Sequence, residues 1–188
     1  MSAVLTAIKE RRSVREFTRE PVSPADLNLL LEAGSFAPTG GNAQAWHITA
    51  VTKPEKIAEL DRVLKAAVRA RGSDSLKDYV GAPNYSINFR HAPLFIVVGV
   101  HRERAACPRE DGALILGNIL LAAHDLGLGA CWVNQLGDGI DDEPGLRALL
   151  SSLGFPPEYS VIGCAAVGHR RGPNPKAFPR ERGQINIV

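Results

Sequence analysis

Apolar residues recur along the chain with two periods, and the switches between them mark the predicted elements. Val4, Leu5 and Ile8 share one face of a helix predicted from about Ala3 to Arg12. Ser23-Pro24-Ala25-Asp26 is a helix start, with Ser at the cap, Pro at the first helical position and Asp at the third. Leu27, Leu30 and Leu31 continue it at helical spacing, and Gly34 can close it. Residues 36–45 read as loop and Trp46 to Val51 as strand. A second amphipathic helix is predicted from about Pro54 to Ala70, with Ile57, Leu60, Leu64, Ala67 and Val68 inward. Residues 71–91 are polar and irregular, whereas Leu94 to Val100 is uninterrupted apolar, the pattern of a strand buried on both faces.

The stretch from Asp111 to Leu126 is apolar nearly all round, so a helix there must be buried on every side. In a chain of 188 residues, packing against a second copy is one way to achieve this, and a dimer is expected. Gly127-Leu128-Gly129 closes that helix. Ala130 to Val133 then reads as strand, Gly145 to Leu153 as a short helix and Ser160 to Val167 as an apolar strand. The tail beyond Gly168 is rich in Arg and Pro, and its apolar end, Ile185 to Val188, wants a partner strand. No internal repeat is visible, and one domain spanning 1–188 is expected.

Composition changes this picture little. With 45% hydrophobic and 22% charged residues the chain is neither collagen-like nor broadly disordered. A net charge of +2 gives no general pull toward nucleic acid, so the clustering of arginines is the more telling feature. Cys107, Cys131 and Cys164 form an odd set without C-x-x-C spacing, which argues against a disulfide framework and for small buried hydrophobes in a reducing cytoplasm. No signal-peptide pattern or membrane-spanning run is present, so a soluble protein is expected.

Several familiar chemistries are missing. The sequence has no P-loop, no G-x-G-x-x-G between strand and helix, no G-x-S-x-G and no metal-ligand spacing among its five histidines. His124, on the apolar helix, is expected to be a hydrogen-bonded core histidine. If the chain is an enzyme, a bound cofactor must carry the difficult step.

Three constellations carry a signal. In Arg11-Arg12-Ser13-Val14-Arg15, a continued helix would set Arg11 and Arg15 as like charges at i, i+4, a conflict that a bound anion removes. A solvated basic face with Arg12 paired to Glu16 is the plainer alternative. The loop Ala37 to Trp46 combines two glycines with Thr39, Asn42 and Gln44, neutral groups suited to a flavin's imide edge or ribityl hydroxyls. Trp46 can equally be core. In an extended tail Arg180 and Arg182 point to one side, either as a second anion clamp or as a solvated charged end.

Together these resemble the nitroreductase family of FMN enzymes. The resemblance rests on Arg11-Arg12-Ser13-Val14-Arg15-Glu16-Phe17, on Ala37 to Trp46 and on Ala92-Pro93 before the strand at Leu94. It continues through the helix ending Leu121 to Gly129, then Cys131-Trp132, Val167-Gly168-His169 and the basic tail, in the family's order. It implies an α+β fold with a central mixed β-sheet flanked by helices, in an interlocked homodimer with FMN at the interface and NADH or NADPH as electron donor. By position, Arg11, Arg12, Ser13 and Arg15 would hold the phosphate and the pyrimidine edge, with Arg180 and Arg182 closing on the phosphate. Pro38, Thr39 and Asn42 would come from the partner subunit. Asn134 and Gln135 would lie beside the flavin ring, and Asn84 would touch the pyrimidine.

The sequence departs from the family pattern at Ala45, where proline is common, at the short 71–91 segment, and at Gly183, where Pro-Leu is common. The implied activity is transfer of hydride from NAD(P)H through flavin N5 to a nitroaromatic, quinone or enone, with ping-pong kinetics and no protein nucleophile. A dehydrogenase or reductive dehalogenase on the same scaffold, a flavin-storing module and a structural dimer are the alternatives.

Overall fold

The computed structural model describes residues 2–82, 91–137, 140–180 and 186–188. The elements run α1 (Ala3–Glu10), α2 (Pro24–Ser35), β1 (Trp46–Val51), α3 (Pro54–Arg71), α4 (Asp74–Gly81) and β2 (Leu94–His101). They continue with α5 (Pro108–Asp125), β3 (Gly129–Val133), α6 (Pro144–Ser152) and β4 (Tyr159–Gly168). The four strands form one sheet in the order β1-β2-β4-β3, and every ladder between them is antiparallel. Among the described residues the sheet is mixed through a single parallel bridge, Ser13 with Ala130, on the outer edge of β3.

Two apolar layers sandwich the sheet. Phe95 and Val97 of β2 face the layer built by α3 and α6, with Leu60, Leu64, Leu146, Leu150 and Phe155. Leu94, Ile96 and Val98 face the other, with Leu30 of α2 and Ile115, Leu116 and Ile119 of α5. The continuous apolar run of β2 is therefore buried on both sides, as its pattern predicts. Two glycines allow the layers to close. A Cβ on Gly99 would stand 2.3 Å from Phe155 Cζ, and one on Gly163 would stand 2.6 Å from Trp132 Nε1.

Four local expectations change. The first helix stops at Glu10, because Arg11 turns extended (φ −55°, ψ 134°) and the chain docks along β3. Val14 N donates to Ala130 O, Thr18 N to His169 O and Arg171 N to Glu16 O, while Val14 and Phe17 are buried. That burial outweighs one more helical turn. Residues 74–81, expected to be irregular, form α4, whose start is marked by Leu76 N donating to Ser73 Oγ. Helix α5 begins earlier than expected, with Pro108 at its first position. It is also buried on one side only in the single chain: Leu114 remains 47% exposed while Ile115, Leu116 and Ile119 are fully buried.

Cys131 and Cys164 are buried as expected, but Cys107 is exposed. His124 is half-buried in the last turn of α5 rather than in the core. No helix among the described residues is long and apolar enough to cross a membrane.

Candidate functional site

The docking of residues 11–18 on β3 converts a helical spacing into an extended one, in which alternate side chains share a side. Arg11, Ser13 and Arg15 meet beside the Cys131 thiol of β3. Burial pushes that thiol's pKa up, while Arg15, a hydrogen bond from Ser13 and Arg11 oppose the rise. Arg12 does not join them. Its Nη1 turns back to the end of α1, donating to Lys9 O (2.6 Å) and Arg11 O (2.7 Å), and its Nε is buried without a partner among the described residues.

Strand β3 then delivers Asn134 and Gln135. Asn134 is exposed and lines a cleft of about 560 Å³ bordered by Arg102, Arg109, Trp132, Asp142 and Ser160. Gln135 is half-buried, and its Oε1 is an acceptor buried without a partner among the described residues.

A group of charges that the sequence reading did not single out anchors the segment that follows. Asp141 is 2% exposed, accepts from Val161 N at 2.9 Å and pairs with Arg147 Nη2 at 2.7 Å. Arg147 Nη1 donates to Tyr159 O at 3.1 Å, and Arg102 pairs with Asp142. Burial raises the Asp141 pKa against the pull of the Val161 N–H and Arg147, whereas the hydrogen bond from Arg102 holds Asp142 low. Two adjacent aspartates and a distant arginine share no local spacing that would have revealed this.

The loop before β1 has a defined shape. Gly41, Asn42 and Gln44 all sit at positive φ (60°, 55° and 48°). Thr39 Oγ1 accepts from Gln44 N at 3.1 Å, and Gln44 Nε2 donates to Asn42 Oδ1 at 3.3 Å. Pro38 and Asn42 are exposed and Thr39 is half-buried. Trp46 packs on the α2/α5 layer, with its indole N–H buried and without a partner among the described residues.

Loop and arginine cluster lie at different edges of the sheet. The loop leads into β1 and the cluster adjoins β3, the two outer strands. Three strand spacings, roughly 14 Å of sheet, lie between those two strands. One chain therefore gathers Arg11, Ser13 and Arg15 with β3 and its Asn134 and Gln135, and holds Pro38, Thr39 and Asn42 elsewhere. Arg180 lies on the exposed tail, which Asn174 Nδ2 ties to Glu10 O at 2.9 Å. Asn84 and Arg182 lie outside the described residues.

Comparison with known proteins gives one answer. Residues 8–169 match the model of the nitroreductase family. A crystal structure of a nitroreductase with bound FMN from Bacteroides fragilis superposes with a TM-score of 0.92 at 37% identity, over 100% of both chains. An NADPH-flavin oxidoreductase of Vibrio harveyi is 27% identical over 181 residues, 96% of this chain and 70% of its own length. A 5,6-dimethylbenzimidazole synthase of Rhodobacter capsulatus is likewise 27% identical, over 88% of this chain and 83% of its own. With the match covering most of the chain and the order β1-β2-β4-β3 placing the motif residues as described, the protein belongs to the nitroreductase family.

Proposed function

We propose that this chain is an FMN-dependent oxidoreductase that takes electrons from NADH or NADPH and delivers them to an electron-poor acceptor of the nitroaromatic, quinone or enone type. The observation that carries the reading is the docking of residues 11–15 along β3, with Arg11, Ser13 and Arg15 near Cys131, on the strand that leads into Asn134 and Gln135. Guanidinium groups suit a phosphate through several directed hydrogen bonds, and the buried Gln135 Oε1, without a partner among the described residues, suits a donor on a flavin ring. Bound there, FMN supplies the two-electron chemistry, reduced by the nicotinamide and reoxidised by the acceptor.

The chain's own residues then bind and orient. Arg11 and Arg15 hold the phosphate and place positive charge toward the pyrimidine edge, where negative charge is best stabilised. Arg12 supports them from behind, by fixing the end of α1. Asn134 meets the ring edge from the cleft side. Arg180 and Arg182 of the tail close on the phosphate, and Asn84 contacts the pyrimidine.

A homodimer completes the site. Leu114 on α5, Val4, Leu5 and Ile8 on α1, and Phe36 beside the loop are exposed in the single chain, a pattern that asks for a second copy. Pro38, Thr39 and Asn42 of that copy then reach a flavin held at the first chain's β3. With no dinucleotide fold to hold the nicotinamide separately, donor and acceptor use one face in turn, and the kinetics are ping-pong. Steady-state lines that intersect would refute the shared face.

The first test is the visible spectrum of the purified protein with FMN, before and after anaerobic NADH or NADPH. A flavin spectrum that bleaches and returns on adding a quinone or nitroaromatic supports the proposal. Bound flavin that neither nucleotide reduces favours a storage module, and no flavin binding sinks the assignment of every site residue.

A further inference from the structure

A buried carboxylate helps to hold the loop that carries Pro38, Thr39 and Asn42 to the body of the protein. Asp111, in the first turns of α5, is 2% exposed. Its Oδ1 accepts a hydrogen bond from Gly40 N at 2.8 Å, joining residues 71 apart in sequence. Its Oδ2 is buried with no partner among the described residues. The charge is placed near the positive end of an 18-residue helix, which offsets part of the cost of burying it.

The loop needs such a tether. Asn42 and Gln44 are both non-glycine residues in the left-handed region, at φ 55° and 48°, a conformation that a free loop leaves. The bonds from Gln44 N to Thr39 Oγ1 and from Gln44 Nε2 to Asn42 Oδ1 brace the loop internally but do not fix it to the protein. Gly40 also fits closely there, since a Cβ at that position would lie 3.4 Å from Cys107 Sγ.

We propose that Asp111 is a positioning residue for flavin binding: by holding Gly40 N it keeps the Pro38–Asn42 loop in the shape that reaches the partner subunit's FMN. The inference rests on the function proposed above. Releasing the loop lowers the fraction of molecules in the binding-competent shape, and apparent affinity falls by the same factor.

The experiment measures FMN release on dilution of the purified holoprotein, by flavin fluorescence, for wild type, Asp111→Ala, Asp111→Asn, Gly40→Pro and the double variant Asp111→Ala/Gly40→Pro. Gly40 opens a helical turn after the extended Thr39 (φ −129°, ψ 151°), a backbone setting that proline accepts, and proline there both removes the N–H that Asp111 holds and sets its ring against Oδ1, so the tether is broken outright. Asp111→Ala and Gly40→Pro are expected to weaken FMN binding about tenfold or more, and the double variant no further than the worse single one. Asp111→Asn, whose carbonyl can still accept from Gly40 N, should restore binding to within about threefold of wild type. Binding by Asp111→Ala within twofold of wild type, or an Asp111→Asn as weak as Asp111→Ala, would overturn the proposal. If Asp111→Ala does not fold, Gly40→Pro decides alone, with unchanged affinity as the contrary result. A wild-type protein that holds no FMN refutes the proposed function instead.

Discussion

Replacing Arg147 by Met removes one partner of a buried charge and keeps most of the side-chain volume. Asp141 would retain the Val161 N–H at 2.9 Å and Arg102 at 3.9 Å, but would lose the 2.7 Å pair with Arg147. Stripping a partner from a buried ion pair costs about 3–5 kcal/mol, and the surviving Arg102 moves the expected loss toward about 2. The Tyr159 carbonyl loses its donor at 3.1 Å, adding about 1 kcal/mol. A total near 3 kcal/mol is large against the usual stability of about 5–15.

The pH dependence makes this test specific. Burial raises the folded-state pKa of Asp141 above its ordinary 3.8. A carboxyl raised in the folded state favours folding below its unfolded pKa, and that contribution fades as pH rises through the folded value. Removing Arg147 raises the folded value further. The deficit should therefore shrink on acidification from about pH 7 toward pH 4, as Asp141 takes up a proton and no longer needs a cation, leaving about 1 kcal/mol from Tyr159. Asp142 works in the opposite direction: Arg102 holds its pKa low, so its contribution is lost as pH falls, but it is 46% exposed and the effect is small. Urea unfolding of both proteins at one fixed concentration reads the difference. A loss under 1 kcal/mol at neutral pH, or one that stays constant on acidification, would refute the reasoning.

Mixed dimers carrying Arg15→Ala in one subunit and Asn42→Ala in the other test whether the site is shared. They should bind one FMN with wild-type affinity and the second about tenfold or more weakly, whereas a site built within one chain would leave both impaired. Leu114→Asp, which puts a charge on the uncovered face of α5, should shift the protein toward monomer in sedimentation and weaken FMN binding in parallel. A monomer that binds FMN normally would contradict the shared site. Cys131 and Cys164, whose thiols burial pushes up, should stay silent to a thiol reagent until the protein unfolds. Rapid reaction of either in the native state would place it nearer solvent than described.

Wherever a single element's periodicity carried the information, the sequence was enough. The capped start at Ser23, the inward row from Ile57 to Val68 and the unbroken run of β2 all express burial patterns that repeat within a few residues. The order of short motifs likewise pointed to the family before any contact was known. Helix α4 was harder, because eight mostly polar residues held by Ser73 and the buried Val80 show too little period to stand out.

What escaped local reading depends on distant partners. Arg11 and Arg15 could be like charges on a helix or neighbours on an extended segment, and only the docking of Val14 and Phe17 against β3 and residues 169–171 decided it. The hold of Asp111 on Gly40, the pairing of Arg102 with Asp142 and the bond from Val161 N to Asp141 join residues that no spacing connects. Local preference sets which elements form. Whether two charges meet is settled by burial, because only the packed chain removes the water that would otherwise keep them apart.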